Sequence, residues 1–172
     1  MNSGLKRICL YGPESVGKTT LARQLADHYQ TAFVPEVARD LITSNDLTPD
    51  DYVRIGEAQT AAVREAVTRA NRVLICDTDL ITTQLYAQIY LNQVPPILYK
   101  LEKEIVYDRH FLLNIDVPWV ADGLRDLGHR RAEIYRMFED ALTERGIDYV
   151  DVSGDWEARF QTVVREIDRL LS

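Results

Sequence analysis

The chain has 172 residues and a net charge of −7; hydrophobic residues make up 46% of it and charged residues 27%. This size and balance predict one globular domain, residues 1–172, and exclude the disordered and fibrous classes. The acidic excess argues against a nucleic-acid-binding surface. The apolar run at 8–11 is too short for a signal-peptide core or a membrane span, and the two cysteines lack metal-ligand spacing, so we expect a cytoplasmic protein without membrane association.

Short apolar runs alternate with helical patterns along the chain. Strands are predicted at residues 6–11, 31–34, 73–76, 111–115 and 147–152. Helices are predicted at residues 17–29, 36–42, 49–70, 80–91, 97–107, 130–144 and 156–170. This alternation is typical of an α/β three-layer sandwich of the P-loop NTPase type, a five-stranded parallel sheet with helices on both faces. In such sheets ligands bind at the carboxyl ends of the strands.

The first strand and helix are joined by a phosphate-binding motif. Residues 12–19 read GPESVGKT and match the pattern G-x-x-x-x-G-K-[ST]. The glycines let backbone N–H groups point at phosphates, the lysine adds positive charge, and the last hydroxyl is a ligand for Mg²⁺. We expect Lys18 to be catalytic as well. The residues predicted to bind ATP or GTP are Gly12, Glu14, Ser15, Val16, Gly17, Lys18, Thr19 and Thr20.

Two carboxylates follow the third predicted strand. A charged group that directly ends an apolar strand needs a partner, so Asp77 is expected either to complete the Mg²⁺ site with Thr19 or to take the proton from an attacking hydroxyl. Asp79 is a second candidate at the same strand end. Its alternative role is to cap the helix that follows.

Three further polar residues are candidates for substrate binding. Glu36 and Arg39 are three apart, so on a helix they share a face, where they either pair with each other or bind a polar substrate opposite the phosphate loop. Gln59 falls on the apolar stripe of the next helix. A buried amide needs partners, and both a structural hydrogen bond and a substrate contact are open for it.

The loops after the fourth and fifth strands complete the candidate site. Arg125, Arg130 and Arg131 cluster in a segment, about residues 119–131, that is expected to act as a lid and to bring positive charge to the transferring phosphoryl group. The alternative is a solvated basic helix start. Ser153 either caps the last helix or marks a backbone contact with the nucleotide base.

Four blocks of sequence resemble the ribosylnicotinamide kinase domain of the NadR family: GPESVGKTTLA, FVPEVARDLI, ICDTDLITT and DVPWVADGLRDLGHRR. The first block is shared by very many proteins, whereas the other three, in this order, are more specific. The resemblance covers essentially the whole chain. It implies a kinase that transfers the γ-phosphate of ATP, with Mg²⁺, to the 5′-hydroxyl of nicotinamide riboside and so makes nicotinamide mononucleotide for NAD salvage.

The resemblance also suggests residue roles. It places Asp77 near the reacting hydroxyl or the metal, and Glu36, Arg39 and Asp79 on the riboside side. Trp119 is our candidate for an aromatic platform under the nicotinamide ring. Full-length NadR proteins resemble a fusion with an adenylyltransferase domain that carries an H-x-G-H signature. Because the only Gly-His pair here, at 128–129, lies late in the chain, we expect that activity and any DNA-binding portion to be absent from this chain.

Two alternatives remain open on sequence grounds. The first is a kinase for another nucleoside or small metabolite on the same scaffold, since only the acceptor pocket would differ. The second is a regulatory P-loop ATPase without a small-molecule acceptor. A GTPase switch is disfavoured, because no N-K-x-D motif is present and no D-x-x-G follows the third strand.

Overall fold

The computed structural model describes residues 4–41, 44, 46–118 and 127–172. Within that part of the chain the strands are β1 (Lys6–Tyr11), β2 (Phe33–Val34), β3 (Val73–Asp77), β4 (Arg109–Leu113) and β5 (Tyr149–Val152). The α-helices are α1 (Lys18–Tyr29), α2 (Ala38–Leu41), α3 (Pro49–Val67), α4 (Leu80–Leu91), α5 (Ile97–Glu102), α6 (Arg131–Glu144) and α7 (Trp156–Leu171). A 3₁₀ turn, Gly128–Arg130, leads into α6.

The strands form one parallel sheet in the order β2-β3-β1-β4-β5. The phosphate-loop strand β1 is therefore central, and β3 is its direct neighbour. Their register pairs Leu10 with Asp77. Because both strands run in the same direction, the start of the phosphate loop and the Asp77 carboxylate lie side by side at the carboxyl edge of the sheet.

The sheet lies between two layers of helices. Ile8 and Leu10 of β1 belong to an apolar cluster with residues of α1 and α7, whereas Cys9 and Tyr11 belong to a cluster with residues of α4 and α6. Successive side chains of a strand point to opposite faces, so both faces of β1 are buried. The expected three-layer α/β sandwich with a five-stranded parallel sheet is confirmed.

The capping signals at the start of α3 are also confirmed. Thr48 accepts a hydrogen bond from the backbone of Asp51, the Asp51 side chain accepts one from the backbone of Thr48, and Pro49 occupies the first helical position. The helix then runs 19 residues and carries Gln59 to the edge of the site described below. No helix in the described part of the chain is both long enough and apolar enough to cross a membrane.

Several predicted boundaries were wrong. The fourth strand occupies Arg109–Leu113 rather than 111–115, because Asp108 already bonds Arg7 through both its backbone N–H and its carboxylate and so starts the pairing with β1 early. The helix predicted at 97–107 ends at Glu102; beyond it, Ile105 packs under the sheet instead. Glu36 precedes α2, so it does not share a helical face with Arg39.

Candidate active site

The phosphate loop has a backbone that only glycine accommodates easily at two positions. Gly12 has φ of 147° and Gly17 has φ of 83°. A Cβ on Gly17 would lie 2.6 Å from the ring of Trp156, and one on Gly12 would lie 3.0 Å from the carbonyl oxygen of Leu113. The motif is therefore required both by local backbone conformation and by the close packing of the loop against β4 and α7.

Lys18 is held at the mouth of this loop. Its Nζ donates to the carbonyl oxygen of Gly12 at 2.9 Å and to that of Pro13 at 2.7 Å. The side chain is buried, with 8% of the residue exposed. Since both acceptors are neutral carbonyls, a bound polyphosphate would be a stronger partner for the ammonium group.

Thr19 and Asp77 form the other half of the phosphate site. The Thr19 hydroxyl donates to Asp77 Oδ2 at 2.9 Å, while Asp77 Oδ1 is buried and has no hydrogen-bond partner among the described residues. Burial raises the pKa of Asp77 to about 6, against the opposing charge of Lys18. A hydroxyl beside a buried carboxylate with a spare oxygen is a donor set that fits Mg²⁺.

A cleft with about 1050 Å³ of empty space opens beside the phosphate loop, between the loop, α2, α3 and α4. Glu36 and Arg39 both line it, as the sequence suggested for a substrate pocket. Gln59 lines it too and is only 2% exposed. Its Oε1 accepts from the backbone N–H of Val37 at 3.1 Å, whereas its Nε2 has no partner among the described residues. The amide thus makes a structural hydrogen bond and still carries a buried donor at the cleft wall.

Sequence reasoning missed the aromatic wall of this cleft, which comes from Tyr52, Tyr86 and Tyr90. The rings of Tyr86 and Tyr90 stack with centroids 6.4 Å apart, and the Tyr86 hydroxyl is hydrogen-bonded to the backbone of Glu14. Burial raises the pKa of the Tyr86 hydroxyl well above its usual value, and the Glu14 carboxylate adds to the rise. The spacing 82, 86, 90 along α4 was a readable signal, since it places polar and aromatic groups on one helical face directly after Asp77 and Asp79.

A second, more apolar cleft of about 670 Å³ lies on the other side of the phosphate loop. Trp156 and Arg159 of α7 line it together with Val16 and Gly17. Arg159 is 1% exposed; its guanidinium pairs with Asp116 and donates to the carbonyl oxygens of Gly154 and Asn114 at 2.9 Å each and to that of Val16 at 3.4 Å. This buried network ties the phosphate loop to the ends of β4 and β5, and the sequence analysis did not identify it.

The remaining predicted residues have different surroundings. Asp79 caps α4 by accepting from the backbone N–H of Thr82 at 2.9 Å, and its other oxygen lies 3.1 Å from His110 Nε2. Capping by Asp79 is thus confirmed, and Asp79 is not among the residues lining the cleft. Ser153 is exposed, and of its two alternatives the cap of the last helix is wrong, because Asp155 caps α7.

The lid arginines separate in the structure. Arg130 pairs with Glu133 three residues on, as a solvated helix start would. Arg131 donates to the carbonyl oxygen of Ser15 in the phosphate loop at 3.0 Å and to that of Val117. Trp119 and Arg125 lie outside the described residues, as does most of the predicted lid segment, so their roles stay predictions.

The fold, the loop and the Thr19–Asp77 pair together define a P-loop nucleotide-binding domain. A family model described as an AAA domain matches residues 7–159, and the chain belongs to this family. The chain is also 32% identical to the trifunctional NAD biosynthesis/regulator protein NadR of Escherichia coli K12 over 176 residues, which is 97% of this chain and 43% of that protein. It therefore spans less than half the length of the curated relative that it matches.

Solved structures agree with the sequence comparison. A NadR protein in complex with NAD and AMP-PNP matches with a TM-score of 0.82 and 25% identity over 98% of this chain and 50% of that one. A NadR protein in complex with NR has a TM-score of 0.81 and 24% identity over 98% of this chain and 52% of that one. The resemblance to the NadR family is thus confirmed along nearly the whole chain.

Proposed function

We propose that this chain is an ATP-dependent kinase that phosphorylates the 5′-hydroxyl of nicotinamide riboside and so forms nicotinamide mononucleotide for NAD salvage. The observation that carries the proposal is the placement of a buried, unpartnered amide donor, Gln59 Nε2, in an aromatic cleft that also contains Lys18 and Thr19. The 32% identity to NadR over 97% of the chain supports it. So does the likeness to NadR structures that hold NR in one case and an ATP analogue in the other. We further propose that the 172 residues act as one cytoplasmic domain.

The phosphate side of the mechanism follows from the loop. Backbone N–H groups of residues 14–19 and the Lys18 ammonium group hold the β- and γ-phosphates of ATP. Thr19 and Asp77 are the residues that would hold Mg²⁺, which when bound neutralises charge on those phosphates. Arg131 already contacts the loop at Ser15, so a small movement of its guanidinium group would bring positive charge to the transferring phosphoryl group. For Arg125 and Arg130 we propose the same supporting role.

The acceptor side is built from the cleft. Glu36 and Arg39 are positioned to bind riboside hydroxyls, and Gln59 Nε2 can donate to the carboxamide oxygen. Asp77 lies at the phosphate end of the cleft, where its carboxylate either completes the Mg²⁺ site or accepts the proton of an aligned 5′-hydroxyl. Trp119 stays a proposed substrate contact, and Ser153 a proposed contact with the base. For the buried Asp79 we propose a supporting role through α4, which it caps. Transfer then proceeds in line, with catalysis coming from positioning and charge.

A kinase for a different nucleoside remains the alternative on the same scaffold, and a regulatory ATPase is the alternative from another class. The deciding experiment is mass spectrometry of the products formed from ATP, Mg²⁺ and nicotinamide riboside, with other nucleosides in parallel. A mononucleotide formed selectively from nicotinamide riboside supports the proposal. Faster phosphorylation of another nucleoside supports the first alternative, and ATP hydrolysis without any phosphorylated acceptor supports the second. A Lys18→Ala variant controls for contaminating kinases.

A further inference from the structure

One residue of the phosphate loop carries the wrong charge for a phosphate site. Glu14 follows Pro13 in the loop, yet a carboxylate beside a polyphosphate is repelled by it. The side chain lines the acceptor cleft and is absent from the lining of the second cleft beside Trp156. Glu14 therefore lies where the acceptor cleft meets the phosphate loop, and its carboxylate is available to the acceptor.

The carboxylates of Glu14 and Glu36 act on the same aromatic ring. Both line the cleft with Tyr86. Burial is the largest cause of the raised pKa of the Tyr86 hydroxyl, and the two carboxylates raise it further. The Tyr86 hydroxyl is also hydrogen-bonded to the Glu14 backbone, which fixes the ring beside the loop. Two carboxylates and an aromatic side chain thus line the same cleft, close enough for both charges to act on the tyrosine hydroxyl.

The positive charges in the cleft do not cancel the negative charges of Glu14 and Glu36 once ATP is bound. Among the described residues that line the cleft, the cationic ones are Lys18 and Arg39. In the proposed kinase, Lys18 is engaged by phosphates and Asp77 by Mg²⁺. Among the described lining residues Arg39 then opposes Glu14 and Glu36, so the charge that these three residues give the acceptor end of the cleft is net negative.

The buried amide of Gln59 is a second, independent observation that points to a ligand in the same cleft. Gln59 is 2% exposed and its Nε2 has no partner among the described residues, so the cleft wall offers a buried donor to a neutral acceptor such as a carboxamide oxygen. Stacked tyrosine rings favour a cation over their faces. A flat, positively charged ring bearing a carboxamide satisfies the donor, the aromatic wall and the two carboxylates together.

We propose, building on the function proposed above, that Glu14 is a specificity-determining residue which, with Glu36, selects the positively charged pyridinium ring of nicotinamide riboside. Neutral aromatic ribosides lose the attraction to the two carboxylates. Nicotinic acid riboside is rejected more strongly, because it replaces the carboxamide by a carboxylate that is repelled by the same groups. The positive charge of the substrate is thus what is recognised, in addition to its shape.

The test compares nicotinamide riboside with benzamide riboside, in which a phenyl ring replaces the pyridinium and the carboxamide and ribose are kept. The quantity measured is the ratio of kcat/KM for the charged substrate to that for the neutral one. Because both substrates experience any change in loop geometry, a general loss of activity cancels in this ratio. We expect the wild-type ratio to be well above one and Glu14→Gln to lower it about tenfold, the size expected for losing one charge at close range. Glu36→Gln should lower it as well.

The matched control is Glu57→Gln, because Glu57 is an exposed carboxylate on α3 outside the cleft lining, and its ratio should equal that of wild type. The wild-type ratio should also fall as salt is raised. A ratio unchanged by Glu14→Gln, in a protein that still phosphorylates nicotinamide riboside, overturns the inference and leaves the proposed function intact. If the wild type phosphorylates neither riboside, the proposed function fails. Calorimetric binding of the two ribosides in the presence of a non-hydrolysable ATP analogue then decides the charge preference separately, with equal affinities overturning it.

Discussion

The hydroxyl of Thr19 and the carboxylate of Asp77 are joined by a hydrogen bond of 2.9 Å, which connects the first turn of α1 to the end of β3. Replacing Asp77 by Asn keeps the size of the side chain but removes its charge. If Asp77 aligns the acceptor or completes the metal site, Asp77→Asn should lower kcat by about 100-fold or more while ATP affinity changes far less. Steady-state kinetics and calorimetric ATP titration measure the two effects, and a defect confined to ATP affinity would move Asp77 out of the catalytic role.

The same substitution should stabilise the ligand-free protein at neutral pH. Burial raises the pKa of Asp77 from 3.8 to about 6, so the folded state binds this proton more tightly than the unfolded state does. The contribution of the protonated Asp77 to the free energy of unfolding is fully present below about pH 4 and is lost as the pH rises through about 6. We expect Asp77→Asn to raise the free energy of unfolding at pH 7 by about 3 kcal/mol.

This gain in stability should shrink as the pH falls from 7 to 4 and vanish below about pH 3, where Asp77 is mostly neutral in both the folded and the unfolded wild type. Urea titrations at several pH values measure it. Asp148→Asn is the control, because Asp148 is exposed and its replacement should change stability little at any pH. A gain of equal size at pH 4 and pH 7 would show that burial of the charge is not its cause.

Lys18→Ala should abolish most turnover without unfolding the protein. Its Nζ bonds only the loop carbonyls of Gly12 and Pro13, so removing the group leaves the core intact while the phosphates lose a close positive charge. We expect kcat to fall by about 100-fold to 1000-fold. Lys103→Ala, a change of an exposed lysine after α5, provides the matched control and should behave as wild type. Thermal melting verifies the fold, and a correctly folded Lys18→Ala protein with normal turnover would refute the assignment.

Gln59→Leu should weaken riboside binding selectively. The change deletes the buried Nε2 donor at the cleft wall along with the acceptor for Val37. We expect KM for nicotinamide riboside to rise about tenfold, the effect of losing one hydrogen bond to a neutral group, with KM for ATP little changed. Gln161→Leu, on the exposed face of α7, controls for the loss of an amide as such. Equal effects on both KM values would show that Gln59 supports the fold and does not contact the riboside.

The parts of the site that could be predicted are those whose signal is local in the sequence. The phosphate loop is contiguous, and Asp77 ends an apolar run, so both stood out without any knowledge of packing. Arg159 could not be found in this way, because it contacts Val16 across a separation of 143 residues and only the folded sheet brings the two together. Local pattern gave no hint that a helical arginine would be buried.

The aromatic wall was missed for a different reason. Helix α4 is buried on one side against the sheet and lines the cleft on another, so its sequence shows no clean division into apolar and polar faces. The spacing of Thr82, Tyr86 and Tyr90 on one helical face is the signal that the sequence does offer for the cleft wall. Strand ends were misplaced by two residues where pairing with β1, rather than composition, decides where β4 begins.

The indole of Trp156 packs directly against Gly17, with its ring centroid 5.6 Å from the guanidinium carbon of Arg159. The chain contains just one other tryptophan, Trp119. In a Trp119→Phe background the tryptophan fluorescence of the protein comes from a single indole that touches the phosphate loop. The emission of that indole should change when nucleotide fills the loop, which provides an optical readout of occupancy in the unlabelled protein, independent of any acceptor and of turnover.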